Sequence, residues 1–440
     1  MDATNQTPTF NLKAVIQETG LKPDTLRAWE RRYGLPKPQR TAGGHRLYSQ
    51  RDIDTLKWLV ARQGEGLSIS RAVDLWRKLE TDGQDPLTLP GYATPERTTT
   101  PVIVPQGHAV ADLREAWLSA CLAFDEQGAA QILTQAFALY PPESVCFELL
   151  QKGLAQVGEN WYRGAASVQQ EHFASALAMR RLQALVASAP PPTRSGRLLV
   201  GCAPEDAHAF GALLLTYLLK RRGWQVVYLG TRVPAMRMGE TVAAIEPRLV
   251  ILSAQQLHTA ATLLEVARLL QAENIPLAFG GLIFNRLPAL RQRIPGHFLG
   301  QHIASAPQVV EQLVASPRPA PPVEVLSETY QQALDHYRDR QVLLEAEVWQ
   351  RIELKDVFRV HLPFINVQMA RHITAALALG DVGFLDADVD WIEGLAAHRG
   401  IAVDTLRHYW DVYHQAAMVH LDERGRLVVD WLAELASPEN

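Results

Sequence analysis

Three proline-rich interruptions set the terms on which this chain of 440 residues can fold. Thr81 to Gln106 (TDGQDPLTLPGYATPERTTTPVIVPQ) is rich in Pro, Thr and Gly and lacks helical periodicity, so it reads as an extended linker. Ala187 to Gly196 (ASAPPPTRSG) and Ala315 to Pro322 (ASPRPAPP) make two further breaks. The chain is thereby expected to divide into a head (1–80), a linker (81–106), a helical bundle (107–186), an α/β unit (197–314) and a tail (325–437). No internal repeat is visible. The expected architecture is a multidomain mixture of α and α/β pieces.

A hydrophobic content of 47% supports real cores. No apolar run approaches the roughly 18 residues of a membrane span, and the start, MDATNQTPTF, has no apolar signal core, so a cytoplasmic protein is expected. Cys121, Cys146 and Cys202 are odd in number and far apart, which fits neither a disulfide framework nor a zinc site, and they read as core. The net charge of −4 is unevenly spread. Residues 1–80 carry 14 Lys/Arg against 9 Asp/Glu, whereas residues 325–440 carry 10 against 19. A basic head on an acidic body points nucleic acid to the head.

Within the head, Leu12, Val15 and Ile16 mark a short amphipathic helix, Gly20-Leu21-Lys22 a turn, and Pro23-Asp24 the start of a second helix. That helix carries Thr25, Arg27 and Arg31. The two arginines are four apart and share a face, which fits a recognition helix in a major groove. GLPKPQRTAGGHRLYS (34–49) then predicts a wing hairpin, with Arg40, His45 and Arg46 around Gly43-Gly44 in reach of phosphates. The run TLRAWERRYGLPKPQRTAGGHRLYSQRDIDTLKWL resembles the MerR family, at Arg27, Trp29, Glu30, Arg31, Tyr33, Arg40, Gly44, Arg46 and Tyr48. The resemblance implies a winged helix-turn-helix bound to double-stranded promoter DNA. MerR relatives dimerise through a long helix after the head. Here the linker stands in its place, so pairing would come from the body.

Between Gly196 and Ser316 apolar strand patterns alternate with helical ones, which predicts a doubly wound parallel sheet with ligand chemistry at the strands' C-terminal ends. Asp206-Ala207-His208-Ala209-Phe210-Gly211 follows the first strand as D-x-H-x-x-G. Ser253 follows Gly211 after 41 intervening residues at a further strand end, and Gly280-Gly281 comes at another. This constellation resembles the cobalamin-binding domain of methionine synthases, mutases and related sensors. The resemblance implies that His208 gives an imidazole nitrogen to cobalt, that Asp206 holds the other ring nitrogen, and that Gly211 lets the helix start close under the corrin. Ser253, Gly280 and Gly281 would leave a channel for the displaced nucleotide tail. The family's S-x-L is here Ser253-Ala254-Gln255.

The bundle contains GENWYRGAASVQQEHFAS (158–175), in which Trp161 is followed after nine residues by Glu171-His172. This resembles the W-x9-E-H signature of CarH-type photoreceptors. It implies a four-helix-bundle cap over the corrin, adenosylcobalamin as cofactor, and Trp161, Glu171 and His172 beside the adenosyl group. The bland reading makes Trp161 plain core and Glu171-His172 a surface pair. Where the family places a cobalt-ligating His after the Trp, this chain has Tyr162.

The tail lies outside the resemblance and reads as all-helical, with seven of the 14 histidines: His336, His361, His372, His398, His408, His414 and His420. None has tight ligand spacing. An oligomerisation or protein-contact module, a second ligand pocket and a metal site all stay open. For the whole chain the leading expectation is no enzyme but a cobalamin-dependent, light-responsive repressor, in which adenosylcobalamin controls homo-oligomerisation (dimer or tetramer) and thereby DNA binding. The alternatives are a light-blind cobalamin sensor and a corrinoid carrier for a methyltransferase or mutase.

Overall fold

The computed structural model describes residues 8–19, 21–40, 46–64, 67–87, 110–352, 362–398 and 402–437. The wing tip with Gly43, Gly44 and His45, most of the expected linker, and His361 lie outside these residues. The chain forms two units, residues 1–106 and 107–440.

In the first unit α1 (Leu12–Thr19) and α2 (Pro23–Tyr33) make the helix-turn-helix, and α3 (Gln50–Gly64) and α4 (Ile69–Thr81) follow the wing. Pro23 occupies the first turn of α2, where its missing N–H costs nothing. Gly34 ends the helix at φ +65°, its N–H donating to the Glu30 carbonyl at 3.0 Å. Strands β1 (Phe10–Asn11), β2 (Gln39–Arg40) and β3 (Arg46–Tyr48) form a small antiparallel sheet in the order β1-β3-β2. Val15, Leu26, Trp29, Tyr48, Leu56, Trp58 and Trp76 form the core. Trp58 and Trp76 meet edge to face at 5.2 Å, and each large buried side chain contributes about 1.5–3 kcal/mol.

The second unit begins with the bundle. It comprises α5 (Val110–Leu122), α6 (Glu126–Leu139), a third helix and α9 (Val168–Ala187). The third helix starts as α7 (Pro142–Ser144), widens into a π-helical turn at Val145–Gln151 and continues as α8 (Lys152–Tyr162). Ser167 and Gln170 form a reciprocal capping box that starts α9. Leu113, Trp117, Cys121, Cys146, Leu149 and Leu182 are buried, and Cys202 is buried in the sheet.

Next comes a doubly wound parallel sheet. Its strands are β4 (Arg197–Cys202), β5 (Gln225–Tyr228), β6 (Pro247–Ser253), β7 (Leu277–Gly280) and β8 (His297–Phe298), in the order β5-β4-β6-β7-β8. Helices α10 (Ala209–Arg221), α11 (Met238–Ile245), α12 (Leu257–Ala272), α13 (Ile283–Arg286) and α14 (Ala306–Ala315) connect and flank them. The chain reverses its direction of winding between β4 and β6, and the crevice beyond their C-terminal ends is where such sheets bind ligands.

The remaining chain is helical: α15 (Glu328–Arg351), α16 (Leu362–Leu379), α17 (Asp386–His398), α18 (Val403–His420) and α19 (Arg426–Ala436). Its core is continuous with one face of the sheet unit. A single buried cluster joins Leu263, Val266 and Leu270 of α12 to Ile373, Ala376 and Leu377 of α16. Inside the module Tyr337 and Tyr413 share a buried hydrogen bond of 2.8 Å. Among the described residues no group of three His, Cys, Asp or Glu side chains is placed to hold a metal ion, and no helix is long and apolar enough to cross a membrane.

Candidate functional site

The loop after β4 is built around one buried carboxylate. Asp206 is 1% exposed. Its Oδ1 accepts the His208 backbone N–H at 2.9 Å and stands 2.9 Å from His208 Nδ1, while Oδ2 accepts the Gln255 N–H at 2.8 Å. The charge is therefore stabilised by donors on two loops, as burial requires. With Nδ1 held, Nε2 is the ring nitrogen left to bind something else, and the His208 side chain is 57% exposed. The hydrogen bond to Asp206 raises the His208 pKa, burial opposes it, and the charges of Asp206 and Glu171 add to the rise. Glu171 on the cap is thus within electrostatic reach of His208.

Next to this loop a channel of about 210 Å³ opens at the strand ends, lined by Gly211, Ser253, Gln255, Gly280, Gly281 and Asn285, with Gln151 from the bundle. A Cβ on Gly211 would meet no atom within 4 Å, so this turn of α10 faces open space. Gly281 has φ +130°, and a Cβ there would strike the Ala254 carbonyl oxygen. Only glycine holds that turn. Ser253 Oγ is buried with no oxygen or nitrogen partner, beside the weakly bonding thiol of Cys202. Asn285 donates from Nδ2 to the Gln301 carbonyl at 3.1 Å and leaves Oδ1 buried without a donor. Two unmet buried polar atoms beside bare glycines are what a bound polar group would complete.

Gln255, the departure from S-x-L, has a structural use. Its N–H binds Asp206 and its Oε1 accepts the Leu282 N–H at 3.0 Å, which ties the histidine loop to the Gly-Gly turn. Sequence reasoning singled out this position only as an anomaly. Gln151, Asn285 and Gln301 carried no motif.

On the cap, Glu171 Oε1 accepts from Ser175 Oγ at 2.7 Å, and His172, with a side chain 75% exposed, stands 3.6 Å from Glu171. Trp161 is half-buried. Its ring lies 6.2 Å from Trp391 of α17. Tyr162 stacks on Trp391 at 6.0 Å and meets His398 at 5.3 Å. The structure thus gathers Asp206, His208, Gly211, Ser253, Gly280 and Gly281 at one end of the sheet and leaves Trp161, Glu171 and His172 on the bundle.

In the head, Arg27 and Arg31 are exposed on α2 and Thr25 is half-buried. Arg27 pairs with Asp24 at 3.6 Å on the surface. Arg40 is the register partner of Arg46 in the wing strands. Arg46 is engaged inside the head: its Nε donates to Glu30 Oε2 at 2.8 Å, and Tyr48 Oη donates to Glu30 Oε1 at 2.5 Å. Burial and the Glu30 carboxylate push the Tyr48 phenol well above its ordinary range.

Comparisons with known proteins identify three segments of the chain. The profile of the MerR HTH family regulatory proteins matches residues 10–79, and two B12 binding domain profiles match residues 113–185 and 196–306. The HTH-type transcriptional repressor CarH of Myxococcus xanthus is 32% identical over 292 residues, which are 66% of this chain and 94% of CarH. CarA of the same organism is 31% identical over 280 residues, 62% of this chain and 87% of CarA. The monomethylamine corrinoid protein of Methanosarcina barkeri superimposes with a TM-score of 0.41 at 20% identity, over 47% of this chain and all 100% of that one, which is too loose to bear on function. The three profiles end at residue 306, so the C-terminal helices lie beyond them. On its length-wide similarity to CarH and on its MerR and B12-binding segments, the chain belongs to the family of MerR-type, B12-domain transcriptional repressors.

Proposed function

We propose that the chain is a cobalamin-dependent, light-responsive repressor that binds promoter DNA through its winged head and takes adenosylcobalamin in the cleft between bundle and sheet. The observation that carries this reading is the prebuilt His208–Asp206–Gln255 arrangement beside a channel with unmet polar atoms. When bound, cobalamin supplies a cobalt ion that accepts a nitrogen ligand and, in its adenosyl form, a light-labile cobalt–carbon bond. His208 offers Nε2 to cobalt while Asp206 fixes the tautomer and ring plane. Ser253 and Asn285 offer hydrogen bonds to the nucleotide tail, and Gly211, Gly280 and Gly281 keep its path clear. Trp161, Glu171 and His172 form the bundle's side of the cleft. Arg27 and Arg31 on α2 face the groove, Thr25, Arg40 and His45 support docking on the backbone, and Arg46 can add to that docking only through the guanidinium nitrogens that its Nε–Glu30 bond leaves. Occupation of the cleft by adenosylcobalamin favours a dimer or tetramer that holds DNA, and light releases it. The repressors CarH and CarA among the relatives, together with the winged head, favour regulation over a corrinoid carrier.

A spectrum of the full chain with adenosylcobalamin, in darkness and after green light, recorded with elution volume and operator binding, tests the reading. A His-on spectrum, an assembly larger than the monomer in darkness, and loss of both assembly and DNA after light are expected. A His-on spectrum with no change of assembly on illumination would favour the light-blind sensor. The Tyr162 position favours that second reading, since its phenol is stacked on Trp391 and offers cobalt no imidazole.

A further inference from the structure

The C-terminal helices touch both sides of the cleft, and they do so in unlike ways. Toward the sheet unit their attachment is a common core, the cluster that joins α12 to α16. Polar contacts surround it. Arg371 pairs with Glu205 at 3.8 Å, Arg293 with Glu324 at 2.9 Å, and Arg286 donates to the Ala387 carbonyl at 3.1 Å. His258 and His372 stack at 6.0 Å within the same joint. Among the described residues the bundle contributes nothing to that core.

Toward the bundle the contact is a small aromatic patch at the C-terminal end of α8. The Tyr162 ring lies between Trp391 and His398, and its hydroxyl sits where a side chain on Gly394 would have to be. His398 is held by its Nδ1 on the Gly394 carbonyl at 2.6 Å. Gly164, just past α8 at φ +71°, approaches so closely that a Cβ would stand 3.1 Å from the His398 carbonyl oxygen. The patch is half open: Trp391 is 38% exposed. Trp161, adjacent to Tyr162, rests on the same indole.

A module fused to one wall of the cleft and touching the other through a few rings acts on the relative position of the two walls. We infer that the C-terminal helices form a latch between sheet and bundle, in which Trp391 is a positioning residue for Trp161 and Tyr162. With the latch closed, α8 is held at its place over the sheet. Any outward movement of the bundle has to unstack Tyr162 from Trp391, so the module limits how readily the cleft opens. The inference rests on the cobalamin reading only for what fills the cleft.

The test compares full-length Trp391→Ala, Gly394→Ala and Trp391→Phe with the parent chain. Without cofactor, hydrogen exchange of residues 152–165 should rise about tenfold in Trp391→Ala, the order expected for loss of two ring pairs, while residues 257–272 stay unchanged. Gly394→Ala adds a good helix former yet displaces the Tyr162 hydroxyl, so it should unlatch without unfolding α17. With adenosylcobalamin loaded in the dark, both variants should release it about tenfold faster while keeping the His-on spectrum, and Trp391→Phe should restore most of the difference. Unchanged exchange at 152–165 and unchanged release in both variants would overturn the latch. If the parent chain binds no cobalamin, the cleft reading fails, and the exchange arm still decides the latch by itself.

Discussion

The two sides of the cleft are built to different standards. On the sheet side, Asp206 is buried and its carboxylate oxygens meet nitrogen groups from two loops, so the His208 ring is oriented through Nδ1 by a fixed partner. On the bundle side, His172 is 75% exposed, Glu171 binds a neighbouring serine, and Trp161 is braced sideways by a ring from another module. The sheet side is preorganised and the bundle side is adjustable. A regulator whose ligand has to be held and whose ligand state has to be read needs one of each.

His208→Ala tests the fixed side most severely. Loss of the His-on spectrum is expected to be complete, and a variant that keeps it would show that the lower position does not depend on this ring. Gly281→Ala comes next. A left-handed residue that meets the Ala254 carbonyl should cost about 3 kcal/mol of unfolding free energy, read as a lower denaturant midpoint. An unchanged midpoint would mean that the turn is as adjustable as the bundle. Asp206→Ala should weaken His-on cobalamin binding about 10–100-fold, the usual cost of losing a ligand's orienting partner. Titration followed at the cobalamin absorption bands checks it, and equal affinity would erase the contrast between the two sides. His172→Ala should be the mildest, within about 0.5 kcal/mol in both stability and dark binding. A loss comparable to that of Asp206→Ala would promote His172 to a fixed part of the site.

The sheet side was legible in the sequence because its chemistry is local. Asp206 and His208 are two residues apart, and strands with Ser253 or Gly280 at their ends announce themselves by runs of apolar residues. The alternation of strands and helices also gave the sheet, apart from β8, whose two residues are too few for any pattern. The latch was not legible. Tyr162 and Trp391 lie far apart in the chain, and an aromatic residue on a helix looks the same whether it meets its own core or a neighbour's. In the head, the sequence placed Arg46 among phosphate contacts, and nothing in its spacing revealed Glu30 as its partner. Charge patterns report which residues are available, whereas side-chain pairing across a hairpin is decided by the fold.

The π-helical turn at Val145–Gln151 sets the phase of everything after it in the third bundle helix. Each residue advances an α-helix by about 100°, so one residue more or fewer in that turn rotates the whole of Lys152–Tyr162 by about a quarter turn and slides it by about 1.5 Å. Gln151 at the end of the turn faces the channel, and Trp161 and Tyr162 at the end of the helix face Trp391. Ordinary α-helix joins Gln151 to Trp161, so a straight α-helix in place of the turn would rotate both ends together relative to the Pro142–Ser144 start. The widened turn therefore works like the indexing pin of a dial, which sets the angle at which one helix addresses a ligand channel at one end and a neighbouring module at the other.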